Sequence, residues 1–454
     1  KVKKMNCSCI KSKLFFGFVL LLVGGCRLNN LEVNPAEDYF RVFDVNTQLG
    51  YEAHDIELLD DGYLIYGTAI VDSSQGSSLV YDMPYLLKLD LFGTIEWDTT
   101  FFAFRDRRDK NRSIDNSHKQ LTKIGDSYIF TGYLQDAGDS QIRLLSFNLN
   151  TRELSVLYTF NEAIDAIEAI DIVENPTSGG FYASASQCFN SITEADRVSL
   201  YYFDVAGNLL WNKELTDSYL CEHSSSVSVN ASHTELYHDI GYLQTKSGTE
   251  YVYLKTALNP SAGNLQFSLL FADPNTGDTI FSNIYNDIQV VFDGDEPSLQ
   301  TGMPIVVYTD ADDSLQLATV NFTTGGEELL YPNIDIKIGS PNVGFNENVF
   351  SSNELALGVP ILIEEATVDD VDILIYAGTT REGRILISVF NKATGRLLNK
   401  KYFGYNSYYE VGGITQTADG GLIIAGHTIT AGRFQQLTVI KVSQSRLAEL
   451  LKLD

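Results

Sequence analysis

Cysteine is scarce in this chain: five residues among 454, three of them within the first 26. The body keeps only Cys188 and Cys221, too few for a four-thiolate zinc site or an iron–sulfur cluster. The six histidines form no HExxH and no metal-spaced group, and no GxSxG, P-loop or dinucleotide fingerprint occurs. Proline numbers only ten, and no Pro- or Ser-rich linker divides the chain. Basic residues are outnumbered, 32 against 59 acidic, for a formal charge of −27. Such a surface repels the phosphates of DNA and RNA, so a nucleic-acid partner is not expected. Long apolar runs are missing too: the longest, Leu14–Cys26, falls short of the ~20 residues that cross a bilayer.

That short run is itself informative. Lys11 and Lys13 precede it, and Val23-Gly24-Gly25-Cys26 ends it. Charge, apolar core and small residues before a cysteine read as an export signal and not as a structural helix. The run resembles a bacterial lipoprotein signal. The resemblance implies a signal peptide over residues 1–25, cut before Cys26, which then carries the lipid. It also implies a location outside the cytosol, on a Gram-negative outer membrane or a Gram-positive outer face, and the outer membrane, facing the medium, is the expectation adopted. The five lysines of 1–25 would leave with the signal, so the remaining 27 basic and 59 acidic side chains give −32. Residues 26–38 are polar, contain Pro35, and read as a tether. The richness in Tyr, Phe and Asn resembles proteins of the Bacteroidetes group.

The body is repetitive. YEAHDIELLDDGYLIYGTAI (51–70) and YYEVGGITQTADGGLIIAGHTI (408–429) share an apolar strand, an Asp-Gly turn and a second strand. Asp61-Gly62 matches Asp419-Gly420, and Gly67 matches Gly426. Asp-Gly between alternating runs is a strong hairpin signal, because glycine accepts the positive φ of tight turns. A second kind of unit recurs at 85–101, 201–215 and 385–403, with weaker copies at 142–160, 251–271 and 315–331. Each has a strand, a short turn ending in glycine, and another strand with a bulky residue near its middle, such as Trp97 or Trp211.

Laid along the chain, units begin near residues 51, 113, 164, 224, 287, 343 and 408. A four-stranded meander cannot bury both its faces alone, and radial closure of several removes the exposed ends. The expected fold is therefore all-β, a propeller of about seven four-stranded blades in a single domain over 39–454. A row of separate sandwiches or an open solenoid is the alternative. Two segments compete for the last outer strand, RLAELLKLD (446–454) and YFRVFDVN (39–46), and the second is favoured because it ties the chain ends together. The units at 201–215 and 419–426 resemble bacterial propellers built from "DGGYIIAG…YLIKTDANGNLLW" repeats.

Candidate sites are few. Trp97 and Trp211 hold equivalent places in the repeat and are expected to pack between blades. His54 and His427 hold similar places and are expected to make blade-edge hydrogen bonds. No catalytic residue is assigned. No cofactor is expected, although Asp310, Asp312, Asp369 and Asp372 offer hard oxygen ligands that suit calcium. Tyr81, Tyr85, Tyr405 and Tyr408 lie between strand runs, where aromatic side chains serve as contact anchors. Cys188 and Cys221 are either bridged or separately buried, and their spacing does not decide which.

These features point away from an enzyme. The expected role is a lipid-anchored accessory or scaffold subunit of an outer-membrane complex for transport, secretion or assembly, as the lipoprotein resemblance implies. One alternative is a surface glycan- or peptide-binding protein for nutrient uptake. Another is a polysaccharide hydrolase or lyase with carboxylates at a central channel.

Overall fold

In a computed structural model, the described residues are 37–43, 49–72, 80–104, 106–108, 121–136, 139–160, 167–187, 197–215, 221–222, 234–235, 240–258, 265–290, 305–310, 312–322, 326–338, 349–357, 359–404, 407–429 and 434–451. They form seven antiparallel four-stranded sheets, the blades of a seven-bladed β-propeller. Blade 1 runs through Gly50–Leu59, Gly62–Asp72, Val80–Asp90 and Ile95–Thr100 in that order, from the axis outward. A short strand, Asp106–Arg108, adds to its third strand. Blades 2 to 6 begin at Thr122, Ile167, Ile240, Ile305 and Ile361, and repeat the same order. A separate two-stranded ribbon pairs Cys221–Glu222 with Thr234–Glu235.

Blade 7 is built from both ends of the chain. Tyr408–Gln416, Leu422–Ile429 and Gln436–Val442 give three strands, and Tyr39–Phe43 supplies the outermost one. The register runs from Tyr39 opposite Lys441 to Phe43 opposite Leu437. The competing segment takes another form: Gln444–Leu451 is a helix, not a strand. Leu, Ala and Glu favour helix, and Ser443 caps it, its carbonyl accepting from Leu447 N. Leu447 is fully buried between blades 6 and 7.

Seven apolar clusters sit between the blades, one to each interface. Strand periodicity explains this. Successive side chains point to opposite faces, so Tyr63 and Ile65 face blade 7 while Leu64 and Tyr66 face blade 2. Strands buried on both faces read as continuous apolar runs, such as 373–377 (ILIYA), where every residue is buried.

The inner strands of blades 1 and 7 each carry a bulge, at Ala53/Asp55 and Val411/Gly413. Gly67 and Gly426 lie opposite, and a Cβ on either would fall 2.1 Å from the carbonyl oxygen of Glu52 or Glu410. The glycines that the repeat matches are thus required by backbone approach.

Two expectations need correction. Blades 4, 5 and 6 start at Ile240, Ile305 and Ile361, not near 224, 287 and 343. Residues 251–271 and 315–331 are the middle strand pairs of those blades, not the outer pairs. Residues 1–25, Cys26 and most of the tether lie outside the described residues, as do Cys188 and Tyr405. The side chains of Tyr81 and Cys221 are likewise outside them.

Candidate binding surfaces

The strand order gives the disc two unlike faces. First-to-second and third-to-fourth connections lie on one face, and most are short, such as 60–61, 91–94, 149–152, 204–208 and 369–370. We call it the turn face; 336–349 is its one extended connection between described strands. Second-to-third and blade-to-blade connections lie on the opposite, loop face. They include 73–79, 101–121, 188–196, 216–239 and 291–304. The N-terminal strand begins at the turn face, where Asp38 Oδ1 accepts a hydrogen bond from Ser443 N at 2.7 Å.

Around the axis, buried carboxylates join neighbouring blades. Asp55 Oδ1 accepts from Ile56 N, and its Oδ2 accepts from Leu121 N at the start of blade 2. Asp171 repeats this, with Ile172 N and with Ile240 N of blade 4. Thr122 Oγ1 donates to the Ile172 carbonyl between blades 2 and 3. These aspartates bind backbone donors in a dry setting, where a charged acceptor is worth more than a neutral one. Sequence reading missed them. The recoverable signal is the Asp-Ile pair at 55–56 and 171–172, two blades apart.

At the loop-face end of blade 7, Tyr408, Glu410 and His427 meet. The Tyr408 hydroxyl donates to Glu410 Oε2 at 3.1 Å, and His427 Nε2 lies 3.8 Å from the same oxygen. Burial, then the adjacent Glu410 carboxylate, pushes the Tyr408 phenol well above its ordinary value. His427 is buried, so it holds Glu410 in place and does not reach solvent. His54 is buried as well, its Nε2 2.5 Å from Thr68 Oγ1. Both histidines thus make contacts inside the blade sheets. Gln435 Nε2 donates to Glu52 Oε1, bridging blades 7 and 1.

The turn face carries the acidic candidates. Asp310 Oδ1 accepts from the backbone nitrogens of Asp312 and Ser314, closing its own turn. Asp312 is exposed beside it. Asp313 instead reaches blade 4, accepting from Lys246 N and Ser247 N at 2.6 and 2.9 Å. Burial would raise the Asp313 carboxyl, but the hydrogen bonds from Ser247 and Lys246 win and hold it low. Asp369 and Asp370 form a hairpin turn with φ of 49° and 63°, and Asp372 accepts from Thr367 Oγ1. Asp310, Asp312 and Asp369 therefore belong to tight turns and Asp372 to the strand Val371–Thr379, the four split between two blades. Among the described residues no group of three or more His, Cys, Asp or Glu is placed to hold a metal ion.

A further pairing on this face was also missed. Lys88 Nζ lies 2.6 Å from Asp61 Oδ2 and 2.9 Å from Glu96. In blade 7, Lys441 Nζ lies 3.1 Å from Asp419 Oδ2. Both lysines sit on third strands, and both aspartates belong to the Asp-Gly turn. Burial works to raise the Asp419 carboxyl, yet Thr417 and Lys441 lower it below the ordinary range.

The aromatic candidates divide. Tyr85 is fully buried in the blade 7–blade 1 interface, 4.7 Å from the Tyr51 ring, so it is no contact anchor. Burial and Asp98 raise its phenol far above the ordinary value. Tyr408 remains 40% exposed on the loop face. Trp97 packs on Phe147 of blade 2, and Trp211 on Tyr182 and Tyr202 toward blade 4. Tyr182 is stacked between Tyr202 (4.6 Å) and Tyr242 (6.3 Å), joining blades 3 and 4. Their hydroxyls bond to Pro274, Ser178 and Thr177, so this stack is internal architecture.

No family model matches the chain, and no curated protein matches it in sequence. Solved structures match distantly. The quinohemoprotein alcohol dehydrogenase from Comamonas testosteroni is 9% identical with a TM-score of 0.45, over 91% of this chain and 78% of that one. The β-propeller domain of the Trilobed protease from Pyrococcus furiosus is 7% identical with a TM-score of 0.42, over 87% and 95%. A Trypanosoma rangeli sialidase in complex with sialic acid is 7% identical with a TM-score of 0.44. That match covers 76% of this chain and 56% of the sialidase, so the chain spans little more than half of that protein's length. Likenesses this distant carry no argument about chemistry. The chain is a seven-bladed β-propeller by its own strand pairing and its own seven interfaces.

Proposed function

We propose that the chain is a lipid-anchored binding or scaffold protein of the outer membrane, with its propeller outside the cell and no enzymatic role. The observation that supports this reading most is the division of the disc. A well-packed body carries short turns on one face and most of its extended connections on the other. Loops on a rigid scaffold are where partners are met, and propellers commonly bind proteins or ligands. The site residues agree: the carboxylates and histidines described near the axis are spent on holding backbone and neighbouring side chains.

The anchor rests on the sequence around Cys26. Its test is intact-protein mass spectrometry of chain extracted with mild detergent. A diacyl- or triacylglyceryl mass on a chain beginning at Cys26 is expected, and an unmodified chain retaining residues 1–25 would refute it. The scaffold role is tested by crosslinking in membranes followed by detergent purification. A stable membrane-protein partner is expected. Turnover of a polysaccharide, abolished by Asp or Glu substitutions near the axis that leave folding intact, would replace this reading with the enzyme.

A further inference from the structure

The geometry points to a fixed orientation at the membrane: the turn face lies toward the bilayer and the loop face away from it. This rests on the anchor reading above and adds which surface a partner can reach. Two observations carry it. First, the strand that leads back to Cys26 starts on the turn face, at Tyr39 opposite Lys441. Asp38 is pinned there by Ser443 N at 2.7 Å, next to the helix Gln444–Leu451. The free tether is therefore only the stretch 27–37.

Second, that tether is short compared with the disc. Fully extended, it reaches about 40 Å. The ten-residue inner strand Gly50–Leu59 sets a disc thickness of about 33 Å. To lay the loop face on the bilayer, the tether would have to climb this whole rim almost straight. Holding the turn face, or the rim beside Tyr39, near the lipid requires no such extension.

The loop face, with Tyr408 and the connections 101–121 and 216–239, is then the surface presented outward.

Two sites in blade 6 make the test. Ala393 is exposed on the turn face and Glu382 is exposed on the loop face of the same sheet. In full-length lipid-modified chain carrying Cys188→Ser and Cys221→Ser, Ala393→Cys and Glu382→Cys are labelled singly with a donor dye. The protein is reconstituted into neutral phosphatidylcholine vesicles bearing a headgroup acceptor. Transfer from position 393 is expected to exceed transfer from position 382 at least twofold. Inserting twenty Gly/Ser residues after Asn34 should erase the difference. Equal or reversed transfer from chain that floats with the vesicles overturns the orientation and leaves the anchor standing. Chain that neither floats nor carries an acyl mass on Cys26 overturns both.

Discussion

The interface between blades 7 and 1 and the interface between blades 4 and 5 do the same job with different material. At the first, backbones approach each other. A Cβ on Gly412 would sit 1.8 Å from the Ala53 carbonyl oxygen, and one on Gly413 would sit 2.7 Å from backbone atoms of Asp55 and Ile56. Ala53, Ala69, Ile65, Ala425 and Val439 share what remains with the rings of Phe43, Tyr51, Tyr63 and Tyr85. At the second, rings take a larger part, with Tyr251, Tyr253, Phe271, Phe281, Tyr285 and Tyr331 packed among aliphatic residues such as Leu269 and Leu317. Phe271 and Phe281 stack at 4.4 Å, and the Asp313 clasp on Lys246 and Ser247 secures the turn face. One interface between neighbouring blades therefore closes through backbone approach at glycine, the other through a larger share of rings. The first leaves no room for adjustment, whereas aromatic packing tolerates modest change.

The sharpest way to break the comparison is to remove Tyr39–Phe43. Loss of this five-residue strand uncovers the edge of Gln436–Val442 and the buried Leu437 and Val439. Chain truncated through Phe43 is expected to lose its cooperative thermal transition and to aggregate, measured by calorimetry and light scattering. Next in size, Gly412→Val should cost about 3 kcal/mol by denaturant unfolding, because backbone and not a movable side chain opposes the new atoms. At the other interface, Phe281→Leu should cost no more than ~1.5 kcal/mol. An equal loss at the two sites would remove the distinction.

The inner aspartates come third. Asp55→Ala and Asp171→Ala each leave a backbone donor of the next blade without its carboxylate, Leu121 N or Ile240 N. About 2 kcal/mol is expected from each, with faster amide exchange at Leu121 or Ile240 as the local readout. The smallest effect is electrostatic. Asp419 has a lowered folded-state pKa, so its pairing with Lys441 adds stability above about pH 4. That contribution disappears as pH falls through the lowered value. Asp419→Asn should cost roughly 1 kcal/mol at pH 7 and progressively less as pH falls below about 4, as read from paired denaturation curves.

Blades 1 and 7 were readable in the sequence because their marks are local. The Asp-Gly turn, the glycine opposite a bulge and the alternating strands lie within about twenty residues of one another. Blades 4 and 5 were out of phase for a physical reason. Any two adjacent antiparallel strands show the same alternation, so 251–271 and 315–331 do not reveal whether they are middle or outer pairs. Without an Asp-Gly turn, and with connections as unequal as 216–239 and 404–407, nothing restores the phase. The aspartate links to the next blade were hidden differently. Asp55 and Leu121 are 66 residues apart, and one carboxylate among 59 carries no mark of its partner.

The pairing of Tyr39–Phe43 with Gln436–Val442 has a consequence for biosynthesis. A ribosome delivers the first of these strands about four hundred residues before the second, and Asp38 meets Ser443 across 405 positions of sequence. Six blades can form as the chain emerges, but the circle waits for Gln436–Val442. A nascent chain that stalls before Val442 keeps Tyr39–Phe43 as an orphan strand, so arrival of the seventh blade is checked by the architecture itself.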